Sequence, residues 1–208
     1  AFSRLRFVII DEIHAFIETS RGVHLRCLLD RLSFASAEHI IRIGLSATVG
    51  NPEELLSWMS APERQKQLVR VPSPPAKKAF TFCVNPDFFS RIDAAADAVR
   101  GRKSLIFVES RSLAERLVEP LRERLSSVHI HHSAVSPEDR REAEAAFASG
   151  GEACVICTST LELGIDIGDL DLVVQFGPPL SVASFLQRLG RTGRRGKSAQ
   201  MAFILQNP

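Results

Sequence analysis

The chain has 208 residues, 45% hydrophobic and 24% charged, a composition ordinary for a globular protein of one large or two small domains with a real core. Its formal net charge of +2, from 26 Lys and Arg against 24 Asp and Glu, is too small to announce a nucleic-acid partner by itself. No apolar run approaches the roughly 18 residues of a spanning helix, and AFSRLRFV at the start lacks the apolar region and small-residue cleavage site of a signal peptide, so a cytoplasmic protein without membrane association is expected.

The first expected element is a strand, Leu5 to Ile10, which runs directly into Asp11 and Glu12, with His14 two places further on. Because the chain opens at Ala1, just ahead of this strand, it reads as a segment cut from something longer. Strands are expected next at Ile40 to Leu45 and Gln67 to Val71. The stretch VPSPPAKK then replaces periodic apolar residues with three prolines and a serine, which favours an extended connector over residues 72–78. It divides the chain into 1–71, with few strands and a poor core of its own, and 79–208, with enough for a complete domain.

In the second part strands are expected at Ala79 to Val84 and Ser104 to Val108. Ser112 with Glu115 three residues on has the form of a capping box, and Leu113, Leu117, Leu121 and Leu125 make a stripe at four-residue spacing. Pro120 predicts a kink or an early end to that helix. After a strand at Val128 to His131, Ser136-Pro137-Glu138-Asp139 supplies a capping hydroxyl, a proline at the first helical position and acids at the positive helix end, for a helix reaching about Phe147. Strands at Ala153 to Cys157, Leu172 to Phe176 and Gln200 to Leu205 complete an alternation that predicts an α/β fold with parallel sheets.

The chain has four cysteines. In the CVIC run, Cys154 and Cys157 are three apart on a strand and should point to opposite faces, against a shared metal or redox role. His129 and His131 share a strand face, yet no carboxylate or cysteine is fixed beside them as a further ligand. Arg188, Arg191, Arg194, Arg195 and Lys197 fall within ten residues and form a candidate anion site, against the plainer reading of a solvated charged face.

In open parallel sheets, ligands gather at the carboxyl ends of strands, where Asp11 and Glu12 stand. One such carboxylate can hold Mg²⁺, directly or through water, while its neighbour orients and deprotonates a water that attacks a terminal phosphate. A surface acid pair capping the next helix is the alternative for an isolated Asp-Glu.

The pair is not isolated. DEIH at Asp11 to His14, SAT at Ser46 to Thr48, TSTLELGIDIGDLD at Thr158 to Asp171 and QRLGRTGRR at Gln187 to Arg195 resemble, in order and approximate spacing, the second, third, fifth and sixth motifs of superfamily-two helicases. RGVHL after DEIH, LSATVGNPEEL and LELGID look most like the large helicase-related (Lhr) family, over nearly the whole chain. The resemblance implies two RecA-like lobes that clamp ATP between them and carry single-stranded nucleic acid, the first lobe lacking its N-terminal part.

By that resemblance, Asp11 holds Mg²⁺ through water, Glu12 is the catalytic base and His14 relays nucleotide state. Ser46 and Thr48 couple hydrolysis to strand separation, unless they only satisfy backbone groups at the strand end. Arg191 and Arg194 resemble arginine fingers, with Gly190 and Gly193 allowing the tight turn, while Gln187 senses the nucleotide and Asp166 faces the nucleotide sugar or the sixth-motif arginines. Arg188, Arg195 and Lys197 are weaker candidates that hold the fold or a surface. Thr158, Ser110 and Arg111 are expected on the nucleic-acid backbone. Where the family usually has HHGS this chain has HHSA, His131 to Ala134, which puts one backbone contact in question and leaves Ser133 or Ser136 to replace it. With no tyrosine and one tryptophan, recognition should be of backbone, in DNA or RNA, rather than of base sequence.

Two functions of different class follow. One is an ATP-driven helicase or translocase using ATP and Mg²⁺ on single-stranded or partly duplex DNA, with RNA as the other substrate class. The other is a non-catalytic nucleic-acid or protein binding piece. A glycine-rich phosphate loop is expected ahead of DEIH, and without it the segment alone should hydrolyse ATP negligibly.

Overall fold

A computed structural model describes residues 2–46, 51–60, 65–70, 77–149, 151–161, 170–179, 181–193 and 198–207. The chain forms two compact units, Ala1–Pro72 and Ser73–Pro208.

In the first unit, β1 (Phe7–Ile10) pairs in parallel with β2 (Ile41–Gly44), from Phe7 opposite Ile41 to Ile10 opposite Gly44. Helices α1 (Ser20–Ala35) and α2 (Pro52–Met59) supply Leu29, Leu55 and Met59 to a small core with Ile10 and Ile13. Strand alternation turns Phe7 and Ile9 away from it, and they are 54% and 64% exposed. The expected strand at Gln67 is absent: residues 67–70 are exposed and, among the described residues, pair with no ladder that would satisfy a strand's backbone.

The second unit is a six-stranded parallel sheet in the order β3-β8-β7-β4-β6-β5. Its strands are β3 (Lys78–Val84), β4 (Lys103–Phe107), β5 (Val128–His131), β6 (Ala153–Cys157), β7 (Leu172–Phe176) and β8 (Ala199–Leu205). The central strands are apolar almost throughout because both faces are covered. On one face, α3 (Phe88–Val99) and α4 (Arg111–Arg122) pack Ile92, Val99, Leu117 and Leu121 against Ile106, Ile156 and Val174. On the other, α5 (Pro137–Ala148) and α6 (Val182–Leu189) pack Ala143, Phe147 and Leu189 with Phe107, Val155 and Val173.

Each of these six helices begins with a side-chain oxygen that accepts a backbone N–H three residues on, from Thr19, Asn51, Asp87, Ser110, Ser136 and Ser181. The cap of α4 is therefore Ser110, which accepts from Leu113 N (3.2 Å), and not Ser112, which lies inside the helix. The cause is the short exit from β4, which leaves only Val108 to Ser110 before the helix must begin. The leucine stripe is otherwise as expected, with Leu117 and Leu121 fully buried, and the helix stops at Arg122, two residues past Pro120.

The two CVIC thiols diverge. Cys154 lies in the core under α3 and α4, Cys157 in the core under α5 and α6. Burial pushes the Cys154 thiol up to about 12, which suppresses the reactive thiolate.

Two outcomes follow. A thiol reagent at neutral pH should modify exposed Cys27 first and reach Cys154 and Cys157 only on unfolding, as peptide mapping of the labelled protein would read. Leu117→Ala should cost about 2–5 kcal/mol in denaturant titration, and Leu113→Ala, at a half-buried position, clearly less.

Candidate nucleotide and nucleic-acid site

In the first unit the DEIH turn is fixed to the end of β2 by backbone. Leu45 N–H donates to Ile10 O (2.8 Å), continuing the ladder, and Ile13 N–H donates to Leu45 O (3.1 Å). Between them Glu12 takes a left-handed conformation, φ 48°, uncommon for a residue with a Cβ and characteristic of functional turns. Asp11, exposed at the strand tip, accepts from Glu12 N–H through Oδ1 (2.9 Å).

His14, with its side chain 11% exposed, shares a hydrogen bond with Ser46, Nδ1 to Oγ at 2.7 Å, across 32 residues of sequence. Glu12 Oε2 lies 3.4 Å from the same Nδ1, is shielded from solvent and has no hydrogen-bond partner. Four sequence candidates, Asp11, Glu12, His14 and Ser46, are thus adjacent. Ser46 bonds a side chain rather than merely closing its strand. Thr48 lies outside the described residues.

In the second unit the carboxyl ends of neighbouring strands share one edge. Ser110 and Arg111 follow β4 and Thr158 follows β6, its strand neighbour; the backbone stays paired to Val108 N–H, which donates to Cys157 O (2.9 Å). Ser110 and Arg111 are exposed and Thr158 is half-buried. Ser110 combines exposure with its capping role. On β5, beyond β6, the HHSA turn puts both histidines inside: His131 is 5% exposed and His132 3%. Burial holds both imidazoles below the usual histidine range, favouring the neutral form, and Arg140 adds in the same direction.

Helix α6 carries Gln187 and Arg188, and its exit turn carries Arg191. Gln187 and Arg191 are half-buried. Arg188 is 1% exposed, so it belongs to the core rather than to a surface. Its Nη1 donates to Gln175 Oε1 on β7, and its guanidinium carbon sits 4.6 Å from the centre of the Phe107 ring. Arg191 N–H donates to Arg188 O (3.1 Å). Thr192 anchors the turn to β8, its hydroxyl accepting from Gln200 N–H (3.0 Å) and donating toward Leu189 O (3.1 Å).

The two glycines of the turn differ. Gly193 has φ +73°, and a Cβ there would meet Ala199 backbone at 2.7 Å, so no other residue fits. Gly190 is an ordinary right-handed helix end, φ −65°, with nothing closer than 3.4 Å, so the expectation that its turn needs glycine is not met. Asp166 and Arg194 lie outside the described residues, as do Gly164, Arg195 and Lys197. Sequence reasoning missed Gln175, Phe107 and Thr192; a lone amide in the otherwise apolar strand LVVQF was the available signal. Among the described residues no group of three or more metal-ligating side chains converges, and no helix is long and apolar enough to cross a membrane.

Residues 87–196 match the helicase conserved C-terminal domain, and residues 1–55 match the DEAD/DEAH box helicase domain. The chain is 34% identical to "ATP-dependent helicase Lhr-Core protein 2" of Thermococcus barophilus, over 97% of this chain and 25% of that protein. It is 35% identical to the "Lhr helicase/ probable uracil glycosylase" of Mycolicibacterium smegmatis, over 92% of this chain and 16% of that protein. Among solved structures it resembles the Mycobacterium smegmatis helicase Lhr bound to ssDNA and AMP-PNP, at 37% identity and a TM-score of 0.77, covering 99% of this chain and 29% of that one. It also resembles the DUF1998 helicase MrfA bound to DNA, at 27% identity and a TM-score of 0.80, covering all of this chain and 32% of that one. The chain therefore spans about a quarter or less of these curated relatives. The parallel α/β fold is the RecA-like fold of these helicases, and the chain, similar in sequence to the Lhr helicases, belongs to the family of the helicase conserved C-terminal domain.

Proposed function

We propose that the chain is part of a cytoplasmic ATP-dependent helicase or translocase that couples ATP hydrolysis to movement on or unwinding of DNA. In this reading residues 1–71 are the C-terminal part of a first RecA-like lobe, residues 72–78 a linker and residues 79–208 the second lobe. The observation that carries it is the His14–Ser46 hydrogen bond (2.7 Å), which joins the acidic turn to the SAT segment and gives a change at the nucleotide a route to a second segment. The relatives' names as ATP-dependent helicases support ATP use and disfavour the non-catalytic binding module. Solved relatives bound to DNA favour DNA over RNA.

The carboxylates fit a nucleotide with Mg²⁺: Asp11 is exposed at a strand tip, and Glu12 Oε2 is shielded and without a hydrogen-bond partner. Mg²⁺, when bound with ATP, neutralises phosphate charge, and Asp11 would hold it through water. Glu12 takes the proton of the attacking water, its left-handed backbone turning the carboxylate back beside His14. His14 and Ser46, with Thr48, pass the change onward. Arg191 and Arg194 neutralise charge on the transferred phosphoryl group, which suits a planar, permanently charged guanidinium. Gln187 and Asp166 contact the nucleotide. Ser110, Arg111 and Thr158, on one sheet edge, hold phosphates of a single strand and read no bases.

In the full-length protein, Glu12→Gln should lower nucleic-acid-stimulated ATP turnover by at least about 100-fold while ATP still binds, the loss expected of a general base; normal turnover by that variant removes Glu12 from the chemistry. The 208-residue chain alone, assayed with single-stranded DNA, should show negligible ATP hydrolysis, and robust turnover would refute the expectation that a phosphate loop outside it is needed.

A further inference from the structure

Gln175 stands where an apolar residue would pack without cost. It is 1% exposed in β7, between Val174 and Phe176, and alternation turns it with Val173 toward the α5 and α6 face. An amide buried there must find partners for both ends, and it does. Nε2 donates to Pro178 O (3.4 Å), and Oε1 accepts from Arg188 Nη1.

These partners fix the amide's direction. A proline carbonyl only accepts and a guanidinium only donates, so a flipped amide would lose both bonds at once. Phe107, at the end of β4, closes the other side, its ring centre 4.6 Å from the guanidinium carbon. The Arg188 side chain is thus set by two strands, while its carbonyl accepts Arg191 N–H (3.1 Å). Thr192 and Gly193 pin the next two residues to β8. The only described residue of this turn with a long side chain and partial exposure is Arg191.

We propose that Gln175 is a positioning residue for ATP hydrolysis: its amide locks the buried Arg188 guanidinium over Phe107 and so fixes the turn from which Arg191 reaches the triphosphate. This rests on the reading of Arg191 as an arginine finger. Gln175 touches no substrate; it acts only through the turn.

The test uses the full-length protein and single-stranded-DNA-stimulated ATPase assays. Gln175→Met keeps length and removes the acceptor. It should lower kcat about tenfold or more with the ATP KM within about threefold, because a misplaced group weakens the transition state more than ground-state binding. Added to Arg191→Ala, it should cause no further loss, since both changes remove one interaction. Full kcat in Gln175→Met, or losses that multiply in the double variant, overturns the proposal. If Arg191→Ala itself keeps full turnover, the arginine-finger reading falls and the proposal with it; if Arg191→Ala is crippled and Gln175→Met is not, only the proposal falls. Should Gln175→Met not fold, Arg188→Lys, which keeps the charge and loses the planar fork, replaces it under the same criteria.

Discussion

Parallel pairing sends every strand of a sheet the same way, so the residues that follow the strands collect on one edge. In the second unit this constraint brings Ser110 and Thr158, 48 residues apart in sequence, to the carboxyl ends of two hydrogen-bonded neighbouring strands, β4 and β6. In the first unit it sets Asp11 and Glu12 beside Leu45 and Ser46. Local bonds aim some of these side chains, as the cap bond of Ser110 does, but the ladder decides which segments meet. In the second unit helices stabilise the ladder by covering both its faces.

A second constraint is the buried cation. Arg188 carries a permanent charge at 1% exposure, a state that costs several kcal/mol unless the surroundings hold the guanidinium in good geometry. Replacing Arg188 and Gln175 by apolar residues of similar volume would satisfy packing as well. What the pair supplies beyond packing is a fixed direction for the Arg188 guanidinium, between the Gln175 amide and the Phe107 ring.

Much of the architecture was legible in the sequence because the signals were periodic. Fully buried runs such as LVVQF and ACVIC, with proline and a capping hydroxyl at Ser136, give the strands and α5 nearly to the residue. Misreadings arose where a local pattern competed with a tertiary one. Gln67 to Arg70 has strand-like composition and no partner strand among the described residues. Ser112 and Glu115 have the spacing of a capping box, but the helix starts earlier to meet the end of β4, and Glu115 points instead toward His132 (3.6 Å). At the site, residue types in motif order were readable, whereas Gln175 and Phe107 were not, because their roles depend on strands adjacent only in the folded sheet.

The two serines near the HHSA turn differ in what their hydroxyls do. Ser136 uses its hydroxyl fully within α5, accepting from Asp139 N–H (3.1 Å) and donating to Asp139 Oδ2 (2.8 Å). Leaving the cap would cost about 1 kcal/mol, so Ser136 is a poor ligand for a passing phosphate. Ser133 is exposed, and its carbonyl, but not its hydroxyl, is tied to Arg140 Nη2 (2.8 Å). The same guanidinium holds the turn while the ring of His132 accepts Ala134 N–H (3.3 Å), so the backbone is braced without the family's glycine. Of the two serines, Ser133 is the one whose hydroxyl does not serve as a helix cap, and it is exposed.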